Sequence, residues 1–458
     1  MIRRLPIVLW VAFFAISTAA VCADEPSKDD DATIAAPPAT AKPRPAPVRA
    51  PRPTDNAKKA APRTPDVEVK RASASLPTGR RPDPKQNLIP TPADQKHAEA
   101  AVRALGAEID LVQTPTGKQL RAVRWHGGDE GLEQLQNLPG LLWLDLEGTK
   151  VTDAAMAKVG LLTQLEGLKL GHTRITDRGV AYLRTLRVLE GLSIPGTKIT
   201  AAGLDHLATL SQLRMLNLAS TKVGDRGLEK LKRHRHLDEL NLNDAGITNA
   251  GLAHLKTLVR LRTLQLASNE ITDEGLAHLR NTPQIENLWL GETKIGDAGL
   301  KYLQLVPRLK HLHINGTAIT DAGVSQLVGI RGLVWLDVSH TAISDEGLAQ
   351  IATMSRLEML VVSGTKITNV GANQLVSLEH LGFLALAGTE IDDTALPAVA
   401  RLKGLEVLDL DGTAVSDAGL PTLAQIPMLH SLSLQETAVT PQAITATFRS
   451  RPKLTVIR

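Results

Sequence analysis

The chain has 458 residues, and 52 Lys and Arg against 48 Asp and Glu give it a formal net charge of +4 at pH 7. Only 2% of its residues are aromatic, which argues against a conventional enzyme core and for a core built from one small aliphatic unit used many times. Its single cysteine, Cys22, excludes an intramolecular disulfide framework and a Cys-based zinc site.

The first 23 residues have the pattern of a secretory signal peptide. Arg3 and Arg4 precede an apolar run over 5–16, and small residues end the segment at Ala23. The run is shorter than the roughly 20 apolar residues that a membrane span needs. We therefore expect an exported protein (secreted, periplasmic or on the cell surface), which would be membrane-anchored only if the signal were retained.

Residues 24–92 are predicted to be a disordered linker rich in Pro, Ala, Lys and Arg. Few of their side chains are apolar and larger than Ala, so the segment cannot bury enough surface to offset its ordering entropy. Within 32–92, 12 Lys and Arg against four acidic residues give a net charge of +8. This basic arm is interpreted as a solvated spacer or as a contact to an anionic surface or glycan; a nucleic-acid partner is not expected.

A short capping region is expected before the repeats. The pattern predicts a helix over 93–105, a strand over 108–112 and a turn over 114–117, which we group as an N-terminal cap at 93–116. Residues 117–140 follow as a degenerate first repeat.

From Leu141 to residue 452 the chain consists of thirteen units of 24 residues, numbered here so that the first Leu or Ile of each unit is position one. Position four is Leu and position eleven is Val or Ile in all 13 units, while position fifteen is Gly in ten and Ala in three. Positions four and six alternate with polar residues, as in a half-buried strand, and positions sixteen and nineteen share one face of a helix.

Two further positions have a predicted structural purpose. Asp at position thirteen suits a helix start through capping and the helix dipole. Gly at position fifteen is expected where the helix lies close to the strand layer. Residues 453–458 begin a further partial strand, whose open edge suggests a packed edge or a partner.

The L-x-x-L-x-L pattern and its period resemble those of leucine-rich repeats over residues 117–458. The I-T-D-x-G-L segment after the strand resembles the ribonuclease-inhibitor-like subclass, and particularly secreted bacterial repeat proteins. The resemblance implies an α/β solenoid with one curved parallel sheet on its concave face and helices on its convex face. It also implies a non-enzymatic scaffold that binds a protein or peptide along the concave face.

One position departs from the family pattern. Most leucine-rich repeats carry Asn or Cys at position nine, whereas this chain has Thr in eleven units, Asn269 once and Ala245 once. The Thr hydroxyls are expected to satisfy backbone groups where the chain turns inward.

Side chains at strand positions three, five and seven should point out of the concave face, in rows along neighbouring strands about 4.8 Å apart. Large aromatics on these rows, in a chain that otherwise avoids them, predict a ligand-binding surface, the alternative being that they fill the curve against each other. We call this set the concave patch; it comprises Trp289, His311, His313, Trp335, Asp337, Met359, Val361 and Phe383.

Two other functions remain open at the patch. A glycan- or cell-envelope-binding module would use the basic arm for charge and the Trp residues for sugar stacking. His311, His313 and Asp337 could instead serve a metal-dependent hydrolase, but no Ser or Cys completes a nucleophilic arrangement. We therefore expect no catalytic residue, no bound metal and no cofactor. The sequence does not predict an oligomeric state.

One basic cluster lies inside the repeats. His234 replaces the usual apolar residue at position twenty-two, among Lys230, Lys232, Arg233 and Arg235. The cluster is interpreted as a solvated loop or a site for an anionic partner.

Overall fold

The computed structural model describes residues 92–114 and 117–458. The predicted signal peptide and nearly all of the linker, with its basic arm, lie outside the described residues. Within the described part, sixteen strands form one sheet in the order of the chain. No helix of that part is long and apolar enough to cross a membrane.

The first two strands are antiparallel, and each later strand lies parallel to the one before it. Consecutive parallel strands from β3 to β16 pair residues that are 24 apart, so that Leu312 pairs with Leu336 and Leu336 with Leu360. The strands are β1 (Glu108–Thr114), β2 (Gly117–Arg124), β3 (Trp143–Asp145), β4 (Gly167–Lys169), β5 (Gly191–Ser193), β6 (Met215–Asn217), β7 (Glu239–Asn241), β8 (Thr263–Gln265), β9 (Asn287–Trp289), β10 (His311–His313), β11 (Trp335–Asp337), β12 (Met359–Val361), β13 (Phe383–Ala385), β14 (Val407–Asp409), β15 (Ser431–Ser433) and β16 (Thr455–Ile457).

Short helical segments connect the strands and form the opposite layer. The α-helices are Pro92–Ala104, Asp153–Val159, Asp177–Val180, Ala201–Leu204, Gly224–Lys230, Asn249–Leu252, Asp273–Leu276, Asp297–Leu300, Asp321–Leu327, Asp345–Ile351, Asn369–Ala372, Leu396–Val399, Leu420–Leu423 and Pro441–Phe448. The 3₁₀ helices are Leu132–Asn137, Ala181–Thr185, Asp205–Thr209, Leu231–Arg233, Ala253–Thr257, Ala277–Asn281, Lys301–Leu305, Asn373–Ser377, Asp393–Ala395 and Asp417–Gly419.

The predicted leucine-rich-repeat solenoid is therefore confirmed. The helix and strand expected over 93–105 and 108–112 are present as Pro92–Ala104 and β1. The division of the chain into signal, linker, cap, leading repeat, thirteen repeats and terminal strand stays a prediction.

The helical layer differs from the regular helices that the sequence predicted. A single α-turn, Ala201–Leu204, continues as the 3₁₀ helix Asp205–Thr209, and five other units follow the same scheme. The buried residues Leu204, Leu207 and Leu210 are spaced by three, and the same buried positions recur in the units with a longer α-helix, such as Val324 and Leu327 of Asp321–Leu327.

The expectation for position nine is confirmed. In all eleven units with Thr, the hydroxyl donates to the carbonyl at position six, as Thr149 Oγ1 does to Leu146 O at 2.7 Å.

Asn269 provides the corresponding hydrogen bond to the position-six carbonyl in two units. Its Nδ2 donates to the Leu266 carbonyl of its own unit at 2.9 Å and to the Leu242 carbonyl of the preceding unit at 2.7 Å. Its Oδ1 accepts from the backbone N–H groups of Ala245 and Ile247. Because Ala245 has no hydroxyl, the longer Asn269 side chain satisfies the carbonyl that a Thr there would have served.

The predicted capping role of position thirteen is wrong in its detail. The cap of Asp177–Val180 is Thr176, whose hydroxyl accepts from Arg178 N–H. Asp153, at position thirteen of the preceding unit, accepts from Thr176 N–H at 2.7 Å and from Thr176 Oγ1 at 2.6 Å. The carboxylate therefore links one repeat to the next, and Asp297 makes the same pair of bonds to Thr320.

In most units this carboxylate lies close to the glycine at position fifteen. A Cβ on Gly203 would lie 2.4 Å from Asp177 Oδ1, so the glycine there leaves room for the carboxylate of the preceding unit. The glycine is not required for the link, because Asp129 and Asp417 make the same bonds opposite Ala155 and Ala443.

In one unit an asparagine replaces the aspartate of position thirteen, opposite an acidic residue of the next unit. Where position twelve is Asp392, the preceding acceptor is Asn369, whose Oδ1 accepts from Asp392 N–H at 2.9 Å. An aspartate there would place two carboxylates side by side.

Gly203→Ala is expected to lower the free energy of unfolding by about 1–3 kcal/mol, because the added methyl group collides with the Asp177 carboxylate. This is opposite to the gain of about 1 kcal/mol that Gly to Ala gives in an ordinary helix. Denaturant-induced unfolding measures the free energy of unfolding of the variant and of the wild-type chain. Gly382→Ala is the control, since a Cβ there would lie 3.8 Å from its nearest neighbours. If Gly203→Ala and Gly382→Ala changed the free energy of unfolding equally, the predicted collision with Asp177 would be contradicted.

Candidate functional site

The concave patch spans five neighbouring strands. At position five, Trp289 pairs with His313, His313 with Asp337, and Asp337 with Val361, on strands β9 to β12. At position three, His311, Trp335, Met359 and Phe383 pair in the same way on β10 to β13. All eight residues that the sequence singled out therefore lie side by side on one face of the sheet.

The rings of the patch pack against each other. Trp289 and His313 are stacked, with centroids 4.8 Å apart and an interplanar angle of 7°. Trp335 meets His313 edge-on at 4.5 Å and His311 at 5.6 Å. Such contacts contribute about 0.5–1.5 kcal/mol beyond the area that they bury.

This packing corrects the expectation that the large aromatics face solvent. His313 is 7% exposed, and the other seven patch residues are half-buried. The rings thus fill the surface against each other, as the alternative interpretation held, while part of each remains accessible. Ala385, 4% exposed and next to Val361 in register, extends the apolar end of the patch and was not among the predicted residues.

Asp337 is held by three hydrogen bonds. Its Oδ2 lies 3.5 Å from His313 Nδ1, and its Oδ1 accepts from Ser339 N–H at 3.0 Å and Ser339 Oγ at 2.7 Å. Burial alone would raise the pKa of Asp337, but the hydrogen bonds from His313 and Ser339 outweigh it and hold that pKa below its usual range. Ser339 was missed by the sequence analysis, although a serine two residues after an aspartate is a local signal for this bond.

Two other polar atoms of the patch are enclosed. His313 Nε2 and Trp335 Nε1 are buried and have no hydrogen-bond partner among the described residues. Burial, followed by the neighbouring His313, lowers the pKa of His311. The centre of the patch therefore combines closely packed rings with a single fixed carboxylate.

The metal-site alternative gains no geometric support. Within residues 92–114 and 117–458, no three His, Cys, Asp or Glu side chains converge as a metal site requires. His313 Nδ1 is already turned toward Asp337.

The third tryptophan of the rows lies apart from the patch. Trp143, on β3, is 9% exposed, and its ring covers Gly167, where a Cβ would lie 2.0 Å from the ring. Beside it, burial lowers the pKa of Lys169, although Asp145, 3.9 Å from its Nζ, opposes the shift. This end of the face is a separate, charged surface.

His234 does not belong to an exposed basic cluster. It is 1% exposed in the core, and neither ring nitrogen has a hydrogen-bond partner among the described residues. Burial lowers the pKa of His234, with a smaller opposing contribution from the Leu210 backbone. The neighbours Lys232, Arg233 and Arg235 are exposed.

His234 is expected to make the solenoid sensitive to acid. Its pKa is lower in the folded than in the unfolded state, so stability is lost as the pH falls below the ordinary histidine value of 6.5. His234→Leu should raise the melting temperature and flatten its dependence on pH in this range. Thermal unfolding across that range is the measurement, with His236→Leu, an exposed neighbour, as the control. If the melting temperature of His234→Leu depended on pH as steeply as that of the wild-type chain, the predicted role of His234 would be refuted.

Comparison with known proteins agrees with the repeat pattern. Five segments match the family model described as Leucine Rich repeat: residues 211–232, 233–256, 261–279, 308–328 and 333–352. No curated protein matches the chain in sequence.

Solved structures share the architecture. An internalin from Listeria monocytogenes is 22% identical, over 80% of this chain and 95% of its own, with a TM-score of 0.52. A leucine-rich-repeat protein of Leptospira interrogans is 17% identical, over 66% and 92%, with a TM-score of 0.38. The mouse RP105/MD-1 complex contains a chain that is 17% identical, over 72% and 69%, with a TM-score of 0.48. At 22% identity, the likeness to the internalin shows the fold alone.

Proposed function

We propose that this chain of leucine-rich repeats is an exported, non-enzymatic scaffold of the ribonuclease-inhibitor-like kind, which binds a protein or peptide on its concave face through the concave patch. The observation that carries this is the gathering of two Trp, two His, Met, Val and Phe on five neighbouring strands. Elsewhere the same positions are mostly small or polar, as with Gly191, Ser193, Ser431 and Ser433.

The packing of the patch suits binding. Trp289, His313 and Trp335 are held by their mutual ring contacts, so little side-chain freedom is lost when a partner covers them. Half-buried aromatic side chains at the centre of a contact surface are typical of residues that dominate binding energy. Asp337, fixed by His313 and Ser339, provides one oriented acceptor at its edge.

The patch offers an apolar end as well. Met359, Val361 and Phe383 extend the surface away from the rings, with Ala385 beside them. A partner segment with apolar side chains would bury them, at about 25 cal/mol for each Å² of apolar surface removed from water.

Trp335→Ala is expected to weaken peptide binding at least about tenfold, because it removes the ring that contacts both His311 and His313. The full-length chain is immobilised and exposed to a displayed library of random short peptides, and the affinities of the selected peptides are measured for both proteins. Tyr182→Ala, which removes an exposed aromatic from the helical side, is the control. Thermal unfolding checks that both variants are folded.

Two results would contradict the proposal. The library could yield no peptide that binds the chain. Alternatively, the selected peptides could bind Trp335→Ala and the wild-type chain equally well, which would place binding elsewhere.

A second candidate is a glycan or anionic cell-envelope polymer bound through the basic arm at 32–92. The net charge of +8 in that segment favours it. Deleting residues 24–92 should then abolish sedimentation with an anionic envelope polysaccharide, and Trp335→Ala, which removes a ring on which a sugar could stack, should weaken it.

A further inference from the structure

A row of hydrogen-bond donors lies beside the concave patch. Asn217, Asn241, Gln265 and Trp289 occupy position five of β6, β7, β8 and β9, and each pairs in register with the next. Because adjacent strands lie about 4.8 Å apart, these side chains form one line across the sheet that ends at the patch.

Hydrogen bonds within the protein fix which way the three amides point. Asn217 Oδ1 accepts from Ala219 N–H at 3.0 Å, and Asn241 Oδ1 accepts from Asn243 N–H at 2.9 Å. Gln265 Oε1 accepts from Asn243 Nδ2 at 3.3 Å. Turning any of these amides over would lose its bond, so the oxygens face the protein and the amino groups remain.

The donors of the row have no partner among the described residues. Asn217 Nδ2, Asn241 Nδ2, Gln265 Nε2 and Trp289 Nε1 make no hydrogen bond there, yet none is among the enclosed polar atoms, so water reaches each of them. Asn217 is nevertheless only 6% exposed. A side chain this buried, with its amino group open to the concave face, is positioned to donate to a bound molecule.

The strand positions around the row that share its face carry almost no charge. Between Lys169 on β4 and Asp337 on β11, the only Asp, Glu, Lys or Arg at positions three, five and seven is Glu239. Burial raises the pKa of Glu239, with Asp238 adding to the rise and Arg214 opposing it. A carboxyl group here disfavours an anionic partner, so the row suits uncharged acceptors.

Two features favour a polypeptide over a sugar chain. A main-chain carbonyl only accepts and so matches a row made of donors, whereas a sugar hydroxyl is also a donor for which the row offers no free acceptor. In addition, His313 covers one face of the Trp289 ring, so that face is not available for a sugar to stack on.

We propose that the donor row (Asn217, Asn241, Gln265 and Trp289) binds main-chain carbonyl oxygens of an extended, uncharged peptide segment that continues onto the concave patch. This inference rests on the proposed function and names the part of the partner that is recognised. The row then aligns the main chain and the patch selects the side chains that follow it.

The test uses variants that keep the structural oxygens. Asn217→Asp, Asn241→Asp and Gln265→Glu retain the acceptors for Ala219, Asn243 and the Asn243 side chain but remove the three donors. The combined variant should bind the peptides selected on the wild-type chain at least about tenfold more weakly.

Controls separate the loss of donors from added charge. Asn281→Asp, Gln374→Glu and Gln425→Glu together add the same charge at exposed positions on the helical side, and should bind normally. Gln265→Met, which is uncharged, should weaken binding in the same direction as the combined variant. Replacing single amides of the peptide by esters, which are weaker acceptors, should identify the carbonyls bound by the row.

The outcomes distinguish this inference from the proposed function. If the peptides lose affinity for Trp335→Ala but bind the combined amide variant like wild type, the patch stands and the donor row is refuted. If no peptide binds, both fail. If neutral oligosaccharides such as cellohexaose bind in place of peptides and depend on the amides, the assignment to a polypeptide is overturned.

Discussion

Stacking of one 24-residue unit on the next determines every other feature of this molecule, because a single unit has no second layer to cover its leucines. The apolar residues of each strand and helical turn are buried only when a neighbouring unit lies against them. The carboxylate at position thirteen then fixes the offset between units, since it binds both the N–H and the hydroxyl of the next position twelve. In most units a glycine at position fifteen lies against that carboxylate, where a Cβ would collide with it.

This fixed offset makes the concave face a set of rows. A residue at position five lies beside position five of the next unit, and so a short sequence of substitutions in successive units produces a continuous surface. Trp289, His313 and Asp337 form the patch in this way, and Asn217, Asn241 and Gln265 form the donor row. The residues of the helical side repeat with little variation. The residues that differ from unit to unit, and that form the patch and the donor row, lie on the strands.

Much of the fold could be read from the sequence because the period is regular and each position has one dominant side-chain type. The strands, their register, the layer of helical turns and the Thr to carbonyl bonds all follow from it. The link between Asp153 and Thr176 could not, since the two residues belong to different units and their proximity depends on how the units stack. The 3₁₀ turns could not be predicted either, because the buried positions are spaced by three in units with 3₁₀ turns and in units with an α-helix alike.

The site was predicted only in outline. Register alone placed all eight patch residues together, but it could not show that Trp289 and His313 would stack and cover each other. Which way an amide turns depends on its own hydrogen bonds, so the donor row became visible only with coordinates. The buried state of His234 was hidden because basic neighbours dominate its local sequence.

Asn269 limits how far the repeats can be treated as interchangeable modules. Since it serves the carbonyl of Leu242 and the amides of Ala245 and Ile247 as well as its own turn, units 237–260 and 261–284 share one polar network. Transplanting either unit without the other would leave buried backbone groups without hydrogen-bond partners. An engineer who shortens, lengthens or recombines this array should therefore avoid a junction between those two units.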